Sequence, residues 1–141
     1  MAEQSVKQEA GQAQTQEVQH FHCTTCPSEC MLTVVVEPQA DGTVRASSVT
    51  GNRCPRGKAF AEQEVFCPVR VLASTVVVRG GEEKLLPVRT ATAIPRAQHM
   101  EAMELIRHTA VDAPVKMGDV IIPNILGTGV DLVASMDVDK A

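Results

Sequence analysis

The sequence predicts an α+β fold with a small cysteine-rich N-terminal half. Three observations predict it. The composition is rich in Val and poor in aromatics, which favours strands. Turn dipeptides such as Asp41-Gly42 and Gly80-Gly81 separate apolar runs. One stretch in the C-terminal half carries apolar residues at helical spacing. Hydrophobic residues make up 44% of the 141, while aromatics are only 2%, so Val, Leu, Ile, Met and Ala must build the core.

The elements follow in order. Residues 1–20 contain six Gln and almost no large apolar residues, and they predict a disordered tail, with order beginning at His20-Phe21-His22. A sharp turn spans Cys23 to Cys30. Met31–Glu37 and Val44–Val49 read as strands of a hairpin around Asp41-Gly42. Gly51-Asn52-Arg53-Cys54-Pro55-Arg56-Gly57 forms a second knuckle, and Lys58–Phe66 a short helix stopped by Cys67-Pro68. A second hairpin pairs Thr75–Arg79 with Leu85–Val88. Ile94-Pro95-Arg96 is expected to open an amphipathic helix with the stripe His99, Met103, Ile106 and Ala110. Short strands at Val120–Ile122 and Val130–Met136 flank a turn at Gly127-Thr128-Gly129. The expected organisation is a tail at 1–20, a cysteine-rich metal-binding subdomain at 21–70 and an α+β subdomain at 71–141.

Composition narrows the function. The formal net charge is −4, and the chain has neither a long basic run nor a Tyr or Trp for base stacking, which argues against nucleic acid as a partner. No apolar stretch approaches the ~18–20 residues of a membrane helix. The polar N-terminus lacks the basic and apolar regions of a secretory leader, so a cytoplasmic location is expected. Five cysteines in a reducing compartment point to metal or redox chemistry.

Four of them form the constellation Cys23-x2-Cys26-x3-Cys30-x23-Cys54. A tight triplet supplies three corners of a ligand set, and a hairpin can return Cys54 to supply the fourth. This asymmetry suits a [4Fe–4S] cluster. Gly51 and Gly57 permit close backbone approach to sulfur, and Arg53, Arg56 and Lys58 lie near a group of net negative charge. Structural zinc is the alternative, since four thiolates also hold Zn tetrahedrally. Cys67 reads as a small buried hydrophobe at a helix end. His20 and His22, just before Cys23, could substitute as metal ligands, though such histidines are more often simply solvated. His99 and His108 lie on nearly opposite helix faces and form no metal pair. Gly127-Thr128-Gly129 lacks the rest of a phosphate loop, and no nucleophile elbow exists, so no independent catalysis is expected. The Lys116–Val130 stretch, Ile125 included, mixes apolar residues with turns and is a candidate partner surface.

The triplet followed by Cys54-Pro55-Arg56-Gly57 resembles the [4Fe–4S] motif that opens molybdopterin oxidoreductases. At 141 residues the chain has no room for their large cofactor domains. A second resemblance spans nearly all the ordered chain. Gly51–Gly57, Leu86-Pro87-Val88-Arg89-Thr90, Ala113–Val120 and Asn124–Asp131 are similar to a family of small bacterial CxxC-motif proteins of unknown function. That resemblance implies an association with FAD-dependent, glycerol-3-phosphate dehydrogenase-like enzymes. Together the readings give an iron–sulfur electron-transfer subunit of a flavin-dependent dehydrogenase, or a zinc module that assembles one. A labile cluster carrier or redox sensor is a third reading.

Overall fold

The computed structural model describes residues 16–141. The chain is α+β and divides into two compact units, Met1–Phe66 and Cys67–Ala141. The tail expected at 1–20 lies outside the described residues as far as Thr15. From Glu17 onward the chain is already a strand, so order starts three residues before the expected His20. Val18 and Phe21 explain this, because each pairs across the ladder with an apolar partner, Val35 and Leu32.

The first unit is a three-stranded antiparallel sheet, β1 (Glu17–His22), β2 (Met31–Pro38) and β3 (Val44–Thr50), in that order, with helix α1 (Pro55–Phe66) after it. Alternation along the central strand buries Leu32, Val34 and Val36 on one face. Cys23 and Ala61 join them, and Phe21, Cys30, Ala46, Val49, Phe60 and Val65 pack around the edge. The β2–β3 turn is the Asp-Gly turn expected. Asp41 accepts from the Thr43 hydroxyl at 2.6 Å and the Thr43 N–H at 2.9 Å, which holds its carboxyl below the usual range. Ser47 is the extra residue of a bulge between Val35 and Val36, and its hydroxyl donates to the Val35 carbonyl. Two glycines are sterically required. A Cβ on Gly51, at φ +87°, would collide with the Met31 carbonyl oxygen. A Cβ on Gly57 would sit 2.9 Å from Asn52 Cβ.

The second unit contains β4 (Val69–Arg70), β5 (Ala73–Arg79), β6 (Leu85–Thr90), β7 (Ile94–Pro95), α2 (His99–Arg107), β8 (Ala110–Asp112), β9 (Val120–Ile122) and β10 (Leu132–Ala134). The main sheet has the order β8-β5-β6-β10-β9, and β8 runs parallel to β5. β4 and β7 form a separate two-stranded ribbon. The core gathers Val76, Val78, Leu86, Val88, Ile94, Ile106, Ile125 and Leu132 among others.

Several expectations need correction here. Ile94-Pro95 does not open the helix: it is a strand paired with Val69-Arg70, and a 3-10 turn, Arg96–Gln98, leads into α2 at His99. The residue before a proline is pushed toward extended backbone, and burial of Ile94 adds to that preference. Ala110 belongs to β8, so the buried helical stripe is Ala102 and Ile106, flanked by half-buried His99 and Met103. The last strand covers only Leu132–Ala134. Ile125 is fully buried, so the Lys116–Val130 stretch presents Met117 and Val120 outward rather than Ile125. Cys67 is half-buried rather than buried. Among the described residues, no helix is long and apolar enough to cross a membrane.

Candidate metal centre

The topology of the first unit sends all four cysteines to one end of its sheet. β1 ends at His22, β2 starts at Met31 and β3 ends at Thr50, and antiparallel pairing aligns these three ends. The loop between β1 and β2 carries Cys23, Cys26 and Cys30. Its mouth is closed by the Cys23 N–H donating to the Cys30 carbonyl at 2.9 Å. Gly51 then turns the chain past Met31 so that Cys54 arrives at the same end.

Cys54 stands at the cap position of α1, with Pro55 at the first helical position, where its missing N–H leaves nothing unsatisfied. The backbone N–H groups of Gly57 and Arg56 donate to the Cys54 sulfur, and the Arg56 guanidinium adds a further donor and a positive field. Together they hold the thiol below its ordinary value, against an opposing burial effect. Asn52 braces the turn by donating its side-chain amide to the Cys54 carbonyl at 3.2 Å.

Cys26 is treated similarly by different residues. The Ser28 N–H and then the Ser28 hydroxyl donate to its sulfur and lower its pKa, and Arg56 contributes a favourable field. A negative Cys54 works in the opposite direction, which places the two sulfurs within electrostatic reach of each other. The Cys23 sulfur shares a hydrogen with the Thr25 hydroxyl at 3.0 Å. Cys23 is 3% exposed, whereas Cys26, Cys30 and Cys54 are half-buried. Among the described residues, no three His, Cys, Asp or Glu side chains are arranged to hold a single metal ion.

Of the three nearby cations, Arg56 is the one placed to act on sulfur, while Lys58 faces Glu62 at 3.9 Å along the helix. Gly57 does offer its N–H to Cys54, but Gly51 serves a close approach to the Met31 carbonyl instead. His20 and His22 alternate away from buried Cys23. Ser28 and Thr25 were not expected as partners of sulfur. Their signal is in the sequence: Cys23-x-Thr25 and Cys26-x-Ser28 repeat a thiol followed two residues on by a hydroxyl, the spacing at which short side chains bend back onto a turn.

Residues 55–136, more than half of the chain, match the sequence model of a protein family. The chain belongs to DUF1667, a family described as protein of unknown function. The matched span starts one residue after Cys54, so Cys23, Cys26, Cys30 and Cys54 all precede it. The chain is also similar to Clostridium perfringens protein CPE0013, whose structure was determined by NMR. The two are 24% identical with a TM-score of 0.48, over 52% of this chain and 87% of that one. No curated protein matches the sequence.

Proposed function

We propose that this DUF1667 member holds one [4Fe–4S] cluster on Cys23, Cys26, Cys30 and Cys54, and that it is an electron-transfer subunit of a flavin-dependent dehydrogenase. The observation that carries this reading is the convergence of four cysteines at one sheet end, where N–H groups and Arg56 favour thiolate at two of them. A bound cluster would supply one-electron exchange, which complements a flavin able to release its two electrons singly.

The chain's own residues would do four things. The Cys23–Cys30 backbone bond would hold the ligand loop closed. The α1 N-terminus would direct N–H groups at Cys54, and Ser28 would do the same for Cys26. Arg56 would offset negative charge and so favour the reduced form. The apolar floor of Leu32, Val34 and Ala61 would exclude water behind the site. Zinc is the alternative occupant, since four thiolates can also close a tetrahedral site and buried Cys23 suits a structural ion. In that case the chain would assemble a dehydrogenase rather than carry its electrons.

Metal and sulfide analysis with a visible spectrum, on protein purified without oxygen, tests the reading. The expected result is about four Fe and four sulfides per chain with broad absorption near ~400 nm, lost in Cys54→Ser. One zinc without sulfide would replace electron transfer with the assembly role. The partner is tested by recovering the tagged chain from its own cells without oxygen and assaying the eluate for FAD. Absence of flavin there would remove the dehydrogenase from the proposal.

A further inference from the structure

The outer face of the β1–β2–β3 sheet carries donor atoms that the cysteine site does not use. His20 and His22 are two apart on β1, so both point to that face, about 7 Å apart along the strand. Across the ladder His22 pairs with Met31 and His20 with Thr33. The Cys23 N–H bond to the Cys30 carbonyl marks that pair as hydrogen-bonded. Ladder alternation then makes His22–Met31 a pair of the other type, whose side chains approach most closely, with Cβ atoms about 4.5–5.5 Å apart. His20 is the diagonal neighbour of Met31, within reach of a long side chain.

The three side chains are accessible. Both histidines are exposed, and Met31 is 52% exposed on an otherwise polar stretch of sheet. The His20 ring is also braced, with Nδ1 3.2 Å from the Thr33 hydroxyl. When Nδ1–H donates to that hydroxyl, Nε2 keeps its lone pair for another partner, which is how metal-binding imidazoles are usually oriented.

We propose that His20, His22 and Met31 form a second metal site, separate from the thiolates, that takes monovalent copper. The donor set selects the ion. Two imidazoles and a thioether offer no oxygen for Mg or Ca, and a thioether is a soft donor suited to Cu(I). All three donors are neutral, which fits an ion of single charge.

The test is a titration of the full-length protein with Cu(I), kept reduced by ascorbate without oxygen, followed by NMR of the Met methyl groups and His rings. After the thiolates fill, the Met31 methyl and the His20 and His22 rings should shift together. They should do so at roughly tenfold lower free Cu(I) than the methyl of Met117, a gap of about 1.4 kcal/mol. Met117 is the internal control, because it is 70% exposed on a turn and lies nine residues from the nearest histidine in sequence, His108. In the double variant His20→Ala, His22→Ala, Met31 should respond no earlier than Met117. In Met31→Leu, the imidazole shifts should need more copper. These exposed positions leave the amide spectrum intact, which checks the fold of each variant. Two results overturn the site: Met31 responding no earlier than Met117 in the unaltered protein, or a Met31 shift that survives loss of both histidines and so reports copper on neighbouring Cys30.

Discussion

The two units differ most in how much apolar core each one has. The second unit buries twelve residues in one cluster, closed by five strands and α2. The first buries five among the described residues, and one of those is Cys23. Small cores of this kind often rely on a metal or a covalent staple. The comparison teaches that one chain can combine a self-sufficient hydrophobic fold with a unit whose core includes a candidate ligand. Packing and chemistry are separate in the second unit and share residues in the first.

The largest expected effect breaks that comparison if it fails. Removing the metal proposed for the cysteines, or introducing Cys54→Ser, should lower amide-exchange protection of β1, β2 and β3 without unfolding them, while β5, β6 and β10 keep theirs. Equal protection in both units after metal removal would mean that the first stands on its small core alone. Next in size, Leu86→Ala should cost the second unit about 2–5 kcal/mol in denaturant unfolding, because Leu86 is fully buried. Leu32→Ala is the matching change in the first unit, where Leu32 is likewise fully buried, and its cost should fall in the same range.

A smaller effect concerns Arg56. Arg56→Gln should raise the Cys54 thiol toward its ordinary value and slow alkylation by iodoacetamide near pH 7, with a weaker change at Cys26. The sign for stability follows from the lowered thiol. In metal-free protein the contribution is present above the ordinary thiol value and is lost as pH falls through the depressed folded one. The variant should therefore flatten the rise of first-unit stability with pH across that window. The smallest effect is expected at Lys116, which faces Asp139 at 2.9 Å and Asp137 at 3.6 Å on an exposed surface. Lys116→Met should leave the denaturant midpoint of the second unit nearly unchanged, because exposed ion pairs are screened by water. A larger loss would mean that the second unit leans on its surface charges as well as its core.

Much of the fold was legible where the signal is local. Asp41-Gly42 marked its hairpin because the carboxylate and the glycine both serve the turn itself. Leu32, Val34 and Val36 marked a half-buried strand by alternation. Pro95 misled because proline suits the start of a helix and an extended edge strand alike, and the pairing with Val69-Arg70 chose the strand. Ile125 looked like a surface residue because it lies among turn residues, yet the loop folds it inward, with its N–H bonded to the Val130 carbonyl at 2.8 Å. At the candidate site, the cysteine spacing and the helix start at Cys54-Pro55 were legible. Which cation faces sulfur was not, because Arg53, Arg56 and Lys58 are equivalent until the helix sets their directions.

The sequence by itself determined the turns, the strand alternation, the glycine at position 51 and a cysteine set able to meet at the end of a hairpin. These depend on backbone preferences and side-chain periods that act over a few residues. Tertiary structure alone decided that β8 lies parallel to β5, that Arg56 serves both Cys26 and Cys54, and that His20, His22 and Met31 share one exposed face. Those outcomes depend on register and on which face is buried, and both are fixed only when the whole sheet closes over its core.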